Sequence, residues 1–194
     1  VREAGEDIAM GDTALHAGAR LDAAALGLLA SLGYADAVVC QRPRVAIFST
    51  GNEVAAPGEP LPKAGIYDAN RFTLMGLLAE HGADVIDLGI LPDDLNAIKT
   101  ALEDAAEQSD LVITSGGVSV GQADFTREAL EQLGRLAFWR VALRPGRPMA
   151  CGWLGEKRTP FIGLPGNPVA VMVTFLQFVT PLLNRLHGQP MAPP

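Results

Sequence analysis

Short apolar runs alternate with amphipathic stretches from Arg44 onward, and this alternation predicts the architecture. Runs rich in β-branched residues are typical of buried strands, and stretches with helical spacing follow them. The predicted strands are RVAIFST, ADVIDLG, DLVITS, LAFWRVAL, MACGWL and PFIGL, and the predicted helices are ANRFTLMGLLAEHG, DDLNAIKTALEDAAEQ, DFTREALEQLG and PGNPVAVMVTFLQFVTPLLNRL. Strands that alternate with helices favour a mainly parallel sheet, so we predict a three-layer α/β/α fold.

The first part of the chain does not follow this rhythm. Its opening segment, VREAGEDIAMGDTALHAGARL, is rich in glycine and small residues, and the pattern predicts a helix at DAAALGLLASLG and a strand at ADAVVC. We interpret residues 1–42 as the small tail of a preceding domain with a connection, residues 43–188 as the α/β domain and residues 189–194 as a proline-rich linker. Because the chain begins with Val1, we expect it to be a piece of a longer protein.

Composition narrows the class of protein. Apolar residues make up 48% of the 194 residues, which is enough for a sizeable core and excludes a mainly disordered chain. The most apolar stretch, residues 169–183, is interrupted by polar residues and Pro181, so we interpret it as a buried helix rather than a membrane span. No secretory leader is recognised, and Cys40 and Cys151 are too far apart for a redox motif. We therefore expect a cytoplasmic protein with no membrane partner.

Charge is unevenly distributed along the chain. The net charge of −7 argues against nucleic acid as a partner. Acidic residues dominate residues 1–126, whereas basic residues outnumber acidic ones in residues 127–158, where Arg140, Arg144 and Arg147 occur. Two interpretations stay open, namely ordinary surface charge and a basic patch that binds a small anionic ligand.

A glycine-rich loop, SGGVSVGQADFT, follows the third predicted strand of the domain. It contains G-x-S-x-G around Ser119, but a hydrolase elbow places its serine directly after the strand, and Ser119 comes several residues later. We therefore interpret Ser119 as a hydrogen-bonding loop residue. The paired glycines Gly116 and Gly117 let backbone N–H groups converge on an anion beside a helix N-terminus. The simpler alternative is a tight turn in which Asp124 caps the helix.

Hydroxyl and carboxylate side chains follow the ends of three predicted strands. Ser49 to Glu53 end the first strand, Asp93 follows the second and Asp124 follows the third. Since the carboxyl ends of parallel strands lie at one edge of a sheet, these acidic residues are candidates to hold Mg²⁺ against phosphates. Asp94 is interpreted as a helix cap. Neither a dinucleotide fingerprint nor a Walker loop is present, and the three histidines do not form a zinc-binding pattern.

Taken together, four motifs identify a resemblance. In order, FSTGNEV, SGGVSVGQADFT, FWRVALRPGRPMACG and GLPGNPV resemble the molybdopterin-binding domain of the molybdopterin molybdenumtransferase (MoeA) family, which includes the gephyrin E domain. The resemblance extends over nearly all of residues 1–188. The opening segment of the chain resembles the part that precedes this domain in MoeA. The smaller molybdopterin adenylyltransferases resemble the binding domain alone, so this segment disfavours that class. The resemblance implies an enzyme that inserts molybdate into adenylylated molybdopterin and releases AMP, with Mg²⁺ assisting.

The resemblance also implies roles for individual residues. The acidic site residues are Glu53, Asp93 and Asp124, which are also the expected metal ligands, and Asp7. The residues expected to bind the pterin nucleotide or the oxyanion are Ser49, Thr50, Gly51, Ser115, Gly116, Gly117, Ser119, Arg140, Arg144, Arg147, Pro165, Gly166 and Pro168. This chain departs from the family pattern by carrying arginines where relatives often have lysines, and Ala170 where they have serine.

The family has further domains that this chain lacks, so we expect the fragment to bind its substrate without completing the reaction. The resemblance implies a homodimer for the full-length protein. Two alternatives stay open, an adenylyltransferase-like enzyme and a non-catalytic binding or scaffold module.

Overall fold

The chain divides into two compact units. The computed structural model describes residues 3, 5–117, 125–140 and 142–190, without the side chains of residues 138–140. One unit contains the chain up to Gln41 together with the residues from Asn184 onward, and the other is Arg42–Leu183. The three-part domain division inferred from the sequence stays a prediction.

The N-terminal segment contains the predicted helix, α1 (Ala23–Ser31). It begins after Asp22, whose side chain accepts a hydrogen bond of 2.9 Å from the backbone N–H of Ala25 and so satisfies a free amide at the helix end. The strand predicted at residues 35–40 is wrong. Val38 and Val39 are exposed, and no described strand pairs with this segment, so β-branched composition alone does not produce a strand.

The second unit alternates strands with helices, as the sequence pattern predicts. Its strands are β1 (Arg44–Thr50), β2 (Val54–Ala55), β3 (Ile66–Tyr67), β4 (Asp84–Leu91), β5 (Leu111–Ser115), β6 (Gly134–Arg140), β7 (Pro148–Leu154) and β8 (Thr159–Leu164). Its helices are α2 (Ala69–Glu80), α3 (Leu95–Gln108), α4 (Phe125–Leu133) and α5 (Pro168–Thr174), followed by a π-helical turn at Phe175–Val179 and by α6 (Thr180–Leu186), whose last three residues belong to the other unit.

Six strands form one sheet in the order β4-β1-β5-β8-β7-β6. The first four run parallel, whereas β7 is antiparallel to both β8 and β6. This confirms the predicted α/β fold with a mainly parallel sheet. The pair β2 and β3 forms a separate parallel ladder, which the pattern did not predict because each strand has only two residues.

Helices cover both faces of the sheet. Strand β1 is buried from Val45 onward, and because successive side chains of a strand point to opposite faces, it contributes Ala46 and Phe48 to one core layer and Val45 and Ile47 to the other. The layer that contains Phe48 is an apolar cluster with α3 and α4. Helix α2 packs on β1 and β4, and it also contacts α5.

The long apolar helix predicted after GLPGNP is present but not uniform. It runs as α5, the π-helical turn and α6, and among the described residues Pro168–Leu186 is long and apolar enough to cross a membrane by length and composition alone. Val171, Phe175, Val179 and Leu183 recur along one face and are fully buried in the protein. This periodic burial is that of a core helix.

Candidate functional site

A polar pocket lies at the carboxyl edge of the parallel strands. It has a volume of about 320 Å³, which is within the range of small-molecule sites. The ends of β1 and β5, the turn after β1, the start of α2 and the corner after β8 form its walls. Its lining residues are Ser49, Thr50, Glu53, Val54, Ile66, Tyr67, Asp68, Ala69, Asn70, Ser115, Gly116, Gly166 and Pro168.

Seven of the residues predicted from the sequence line this pocket. They come from separate strand ends that the parallel topology brings together: Ser49, Thr50, Glu53, Ser115, Gly116, Gly166 and Pro168. Gly116 is joined to the end of β8 by a backbone hydrogen bond of 3.2 Å to the carbonyl of Leu164. The sheet itself therefore positions the glycine corner beside the corner that follows β8.

Gly117 follows at the end of the described part of this loop and is not a lining residue. It has a φ of +64°, and a Cβ at this position would clash with Thr50 Oγ1 and lie 2.8 Å from Thr126 Oγ1. A side chain here is therefore excluded both by the left-handed backbone and by space. The glycine pair is required for the backbone to pass close to Thr50.

Other predicted site residues lie off the pocket wall. Asp93 is exposed, and its carboxylate accepts a hydrogen bond of 3.1 Å from the backbone N–H of Asn52, the neighbour of Glu53. Arg144 and Arg147 are exposed in the turn between β6 and β7, and Pro165 is buried directly after β8. Gly51 turns the chain after β1 with a φ of +131° and does not itself line the pocket.

Three predicted residues have no described side chain. Ser119 and Asp124 lie outside the described residues, and Arg140 is described only as part of β6. Asp7 belongs to the unit that contains the N-terminal segment. The roles assigned to these residues stay predictions.

An ionic network that was not predicted from the sequence connects the pocket wall to the sheet. Asp68, which caps α2, is 3% exposed and accepts hydrogen bonds from Ser49 Oγ at 3.0 Å, from Arg71 Nε at 2.8 Å and from the backbone N–H of Arg71 at 3.2 Å. Arg71 also donates from Nη1 to Asp87 on β4. Asp87 in turn accepts a hydrogen bond from the backbone N–H of Gly89. The end of β1, the start of α2 and strand β4 are thus connected through charged groups.

The charge of Arg71 is stabilised by this network. Burial by itself lowers the pKa of Arg71, but the hydrogen bonds and charges of Asp68 and Asp87 together outweigh it and raise the pKa above its ordinary value. The guanidinium therefore stays charged and compensates the buried Asp68 carboxylate.

Asn70 connects two walls of the pocket. Its side-chain Nδ2 donates a hydrogen bond of 2.8 Å to the carbonyl oxygen of Gly166. The buried oxygen atoms of Asn70 (Oδ1) and Thr50 (Oγ1) have no hydrogen-bond partner among the described residues. Unsatisfied buried polar atoms are rare, so these two atoms of pocket-lining residues are candidates for hydrogen bonds to a ligand.

A local signal for this network was present in the sequence. Asp68-Ala69-Asn70-Arg71 places an aspartate directly before a helical pattern, which is the signature of an N-cap. The pattern does not show that the cap is buried, because burial depends on β1 and β4 closing over it.

The comparisons with known proteins agree with this fold. Residues 46–185 match a family model for a probable molybdopterin binding domain. The chain is 49% identical over 189 residues to a molybdopterin molybdenumtransferase from Haemophilus influenzae, covering 97% of this chain and 46% of that protein. It is 36% identical to gephyrin from Dictyostelium discoideum, covering 97% of this chain and 30% of that protein.

A solved structure is similar over almost the whole chain. It is a molybdopterin biosynthesis MoeA protein from Pyrococcus horikoshii, with a TM-score of 0.82 and 35% identity, over 95% of this chain and 46% of that one. An α/β domain with a polar pocket at the carboxyl edge of its sheet is the class that the fold and site define. Within that class, this chain belongs to the probable molybdopterin binding domain family. It spans about half the length of the Haemophilus relative.

Proposed function

We propose that this chain is the molybdopterin-binding part of a molybdopterin molybdenumtransferase, which inserts molybdate into adenylylated molybdopterin and releases AMP. The observation that carries the proposal is the pocket at the ends of β1, β5 and β8, because its volume of about 320 Å³ accommodates a bicyclic heterocycle. The 49% identity to a relative named for this activity supports the same conclusion.

Anion recognition is assigned to the glycine corner and to arginines. Ser115 lines the pocket and offers a hydroxyl, and because the backbone N–H of Gly116 is bonded to Leu164, the further donors for a phosphate are assigned to Gly117 and to Ser119 in the loop that follows. Arg144 and Arg147 are exposed and have no ion-pair partner among the described residues, so both guanidinium groups are available to an oxyanion. Arg140 is the third cation of this proposal.

Mg²⁺ is proposed as an assisting ion. The carboxylate of Glu53 lies at the pocket without a hydrogen bond or ion pair among the described residues, and Asp93 is held beside it through Asn52. Hard carboxylate oxygens fit Mg²⁺, which takes one or two of them together with substrate oxygens. The described residues contain no group of three or more candidate metal ligands, and Asp124, which the family resemblance implies as an acidic site residue, is proposed as the third. When bound, the ion would neutralise negative charge as AMP leaves.

The remaining parts of the proposal concern the whole protein. We expect Asp7 to contribute to the complete site, the full-length protein to be a cytoplasmic homodimer, and nucleic acid and membranes not to be partners. Because the chain spans 46% of the Haemophilus relative, we expect it to bind the pterin nucleotide without completing metal insertion.

The test is a titration of this chain with adenylylated molybdopterin, followed by addition of molybdate and Mg²⁺ with AMP release monitored. We expect saturable binding and little AMP. Glu53→Gln should leave pterin binding nearly unchanged if its role is to hold Mg²⁺, and Glu103→Gln on the exposed face of α3 is the matched control.

The outcomes separate the alternatives. Rapid AMP release with molybdate would show that the missing regions are dispensable. Formation of adenylylated molybdopterin from molybdopterin and ATP would favour an adenylyltransferase. No binding of either pterin would contradict the proposed site and leave a scaffold module as the remaining function.

A further inference from the structure

The hydroxyl group of Ser49 already donates a hydrogen bond within the protein. Ser49 is 2% exposed, and its Oγ lies 3.0 Å from Asp68 Oδ1. The carboxylate of Asp68 is paired with the guanidinium of Arg71 at 2.8 Å, and a carboxylate accepts hydrogen bonds without donating any. Ser49 must therefore donate to Asp68, and its oxygen has only lone pairs left for the pocket.

The side chain of Asn70 also offers an acceptor, and one of its two amide N–H groups is already used. The carbonyl of Gly166 is an acceptor, so the amide nitrogen of Asn70 must face it, and this fixes the orientation of the amide group. Oδ1 is the other end of the amide, and it is a buried oxygen without a donor among the described residues. A ligand that satisfies it must bring an N–H or O–H group.

The carboxylate of Asp68 can accept one further hydrogen bond. A carboxylate offers about four lone-pair positions, and three donors occupy Asp68, two at Oδ1 and one at Oδ2. Ser49, Asp68 and Asn70 are thus three lining residues that offer acceptors, and the one side-chain donor on them without a partner among the described residues is the second N–H of Asn70. We call these three residues the acceptor wall.

We propose that the acceptor wall binds the edge of the pterin ring that carries its amino and lactam N–H groups. This orientation leaves the phosphate end of the ligand to the glycine corner at Ser115 and Gly116, since a phosphate against the acceptor wall would face lone pairs and a carboxylate. The inference rests on the proposed function for the identity of the ligand. It adds the orientation of the pterin ring in the pocket, and it names the three residues of the acceptor wall as those that determine specificity.

A bound cation is the competing occupant of the acceptor wall. It is disfavoured because the charge of Asp68 is already compensated by Arg71 at 2.8 Å, and Ser49 and Asn70 are neutral. A cation would face one compensated carboxylate, whereas an N–H edge satisfies each acceptor without adding a charge.

The experiment compares two pteridines by fluorescence titration. Pterin has an amino group where lumazine has a carbonyl oxygen, and lumazine carries a hydrogen on the adjacent ring nitrogen N1 where pterin does not, so the exchange changes the pattern of donors and acceptors along this edge. We expect wild-type protein to prefer pterin by about tenfold. Asn70→Ala and Ser49→Ala should each reduce this preference to about twofold, since each removes an acceptor. Asn96→Ala, an exposed asparagine of α3, is the matched control and should retain the preference.

Equal affinities for pterin and lumazine in the wild type, or a preference unchanged in both variants, would overturn the inference. Binding of Mg²⁺ alone that is lost in Ser49→Ala would also overturn it, in favour of a cation site. A parallel titration with adenylylated molybdopterin distinguishes the two proposals. If that ligand binds while the two pteridines bind equally, only the orientation is wrong; if it fails to bind while the pterin preference persists, the proposed function is wrong.

Discussion

Helices α2 and α3 both begin at an aspartate, yet the two caps have different surroundings. Asp94 accepts a hydrogen bond of 2.8 Å from the backbone N–H of Ala97 and is exposed. Asp68 accepts the corresponding bond from Arg71 at 3.2 Å, but it is 3% exposed and also binds Ser49 Oγ and the Arg71 guanidinium. The same residue in the same local role is therefore a simple cap in one helix and the centre of a buried network in the other.

The difference lies in what covers each helix start. The N-terminus of α2 is enclosed by β1 and β4, which bring Ser49 and Asp87 to it, whereas that of α3 faces solvent. Removal of one partner of a buried ion pair lowers the free energy of unfolding strongly, because the remaining charge is left without water or a counter-ion. Substitutions in the α2 network should therefore cost more than matched substitutions at the start of α3.

Arg71→Leu should have the largest effect on stability. It leaves two carboxylates, one of them 2% exposed at its side chain, without their cation, and we expect a loss of about 3–5 kcal/mol in the free energy of unfolding. Urea denaturation measures this loss. Arg42→Leu, which removes an exposed ion pair with Asp84, is the control and should cost less than about 1 kcal/mol. Equal losses in the two variants would contradict a buried role for Arg71.

The contribution of Arg71 to the free energy of unfolding should not change on the alkaline side of neutrality. Its pKa is raised in the folded state, so its stabilisation is fully present below the unfolded pKa and is lost only when pH rises through the folded pKa. We therefore expect the same difference between wild type and Arg71→Leu at about pH 7 and about pH 9. If the stability difference between wild type and Arg71→Leu shrinks over this interval, a group other than Arg71 controls the ion pairs with Asp68 and Asp87.

Asp68→Asn should destabilise the protein by about 1.5–3 kcal/mol, because the amide retains the capping geometry but loses the charge that faces Arg71. Asp94→Asn is the matched variant and should be nearly neutral, since asparagine and aspartate are equally good N-caps. Thermal unfolding of both variants tests the pair. Similar melting temperatures would mean that Asp68 is only a cap.

Asp94→Ala should cost about 1 kcal/mol, the usual contribution of an exposed N-cap. Circular dichroism during denaturation measures the loss. A cost as large as that of Asp68→Asn would remove the contrast between the two helix starts.

The smallest expected effect concerns reactivity rather than stability. Burial raises the pKa of the Cys151 thiol on β7, and this outweighs the lowering by a backbone hydrogen bond from Gly152. Cys40 is exposed. Since the thiolate is the reactive form, iodoacetamide at about pH 8 should modify Cys40 first, as mass spectrometry of partially alkylated protein would show. Preferential modification of Cys151 would indicate that β7 opens readily.

The pattern of apolar positions predicted most of the second unit. It identified the strands of the six-stranded sheet, because strands such as RVAIFST and DLVITS are short buried runs bounded by turn residues. It was wrong for residues 35–40, where two valines have no neighbouring strand to pair with. It also missed β2 and β3, which are too short to have a period.

What the sequence determined by itself is local: the alternation of strands and helices, the capping aspartates, the glycine pair and the motifs that resemble the molybdopterin-binding family. The tertiary structure decided which polar side chains meet. Ser49 and Asp87 are distant along the chain from the start of α2, and they meet Asp68 and Arg71 respectively only because β4 pairs with β1 and α2 packs against both. Burial and the direction of each hydrogen bond follow from that packing, so the polarity of the pocket could not be read from the order of residues.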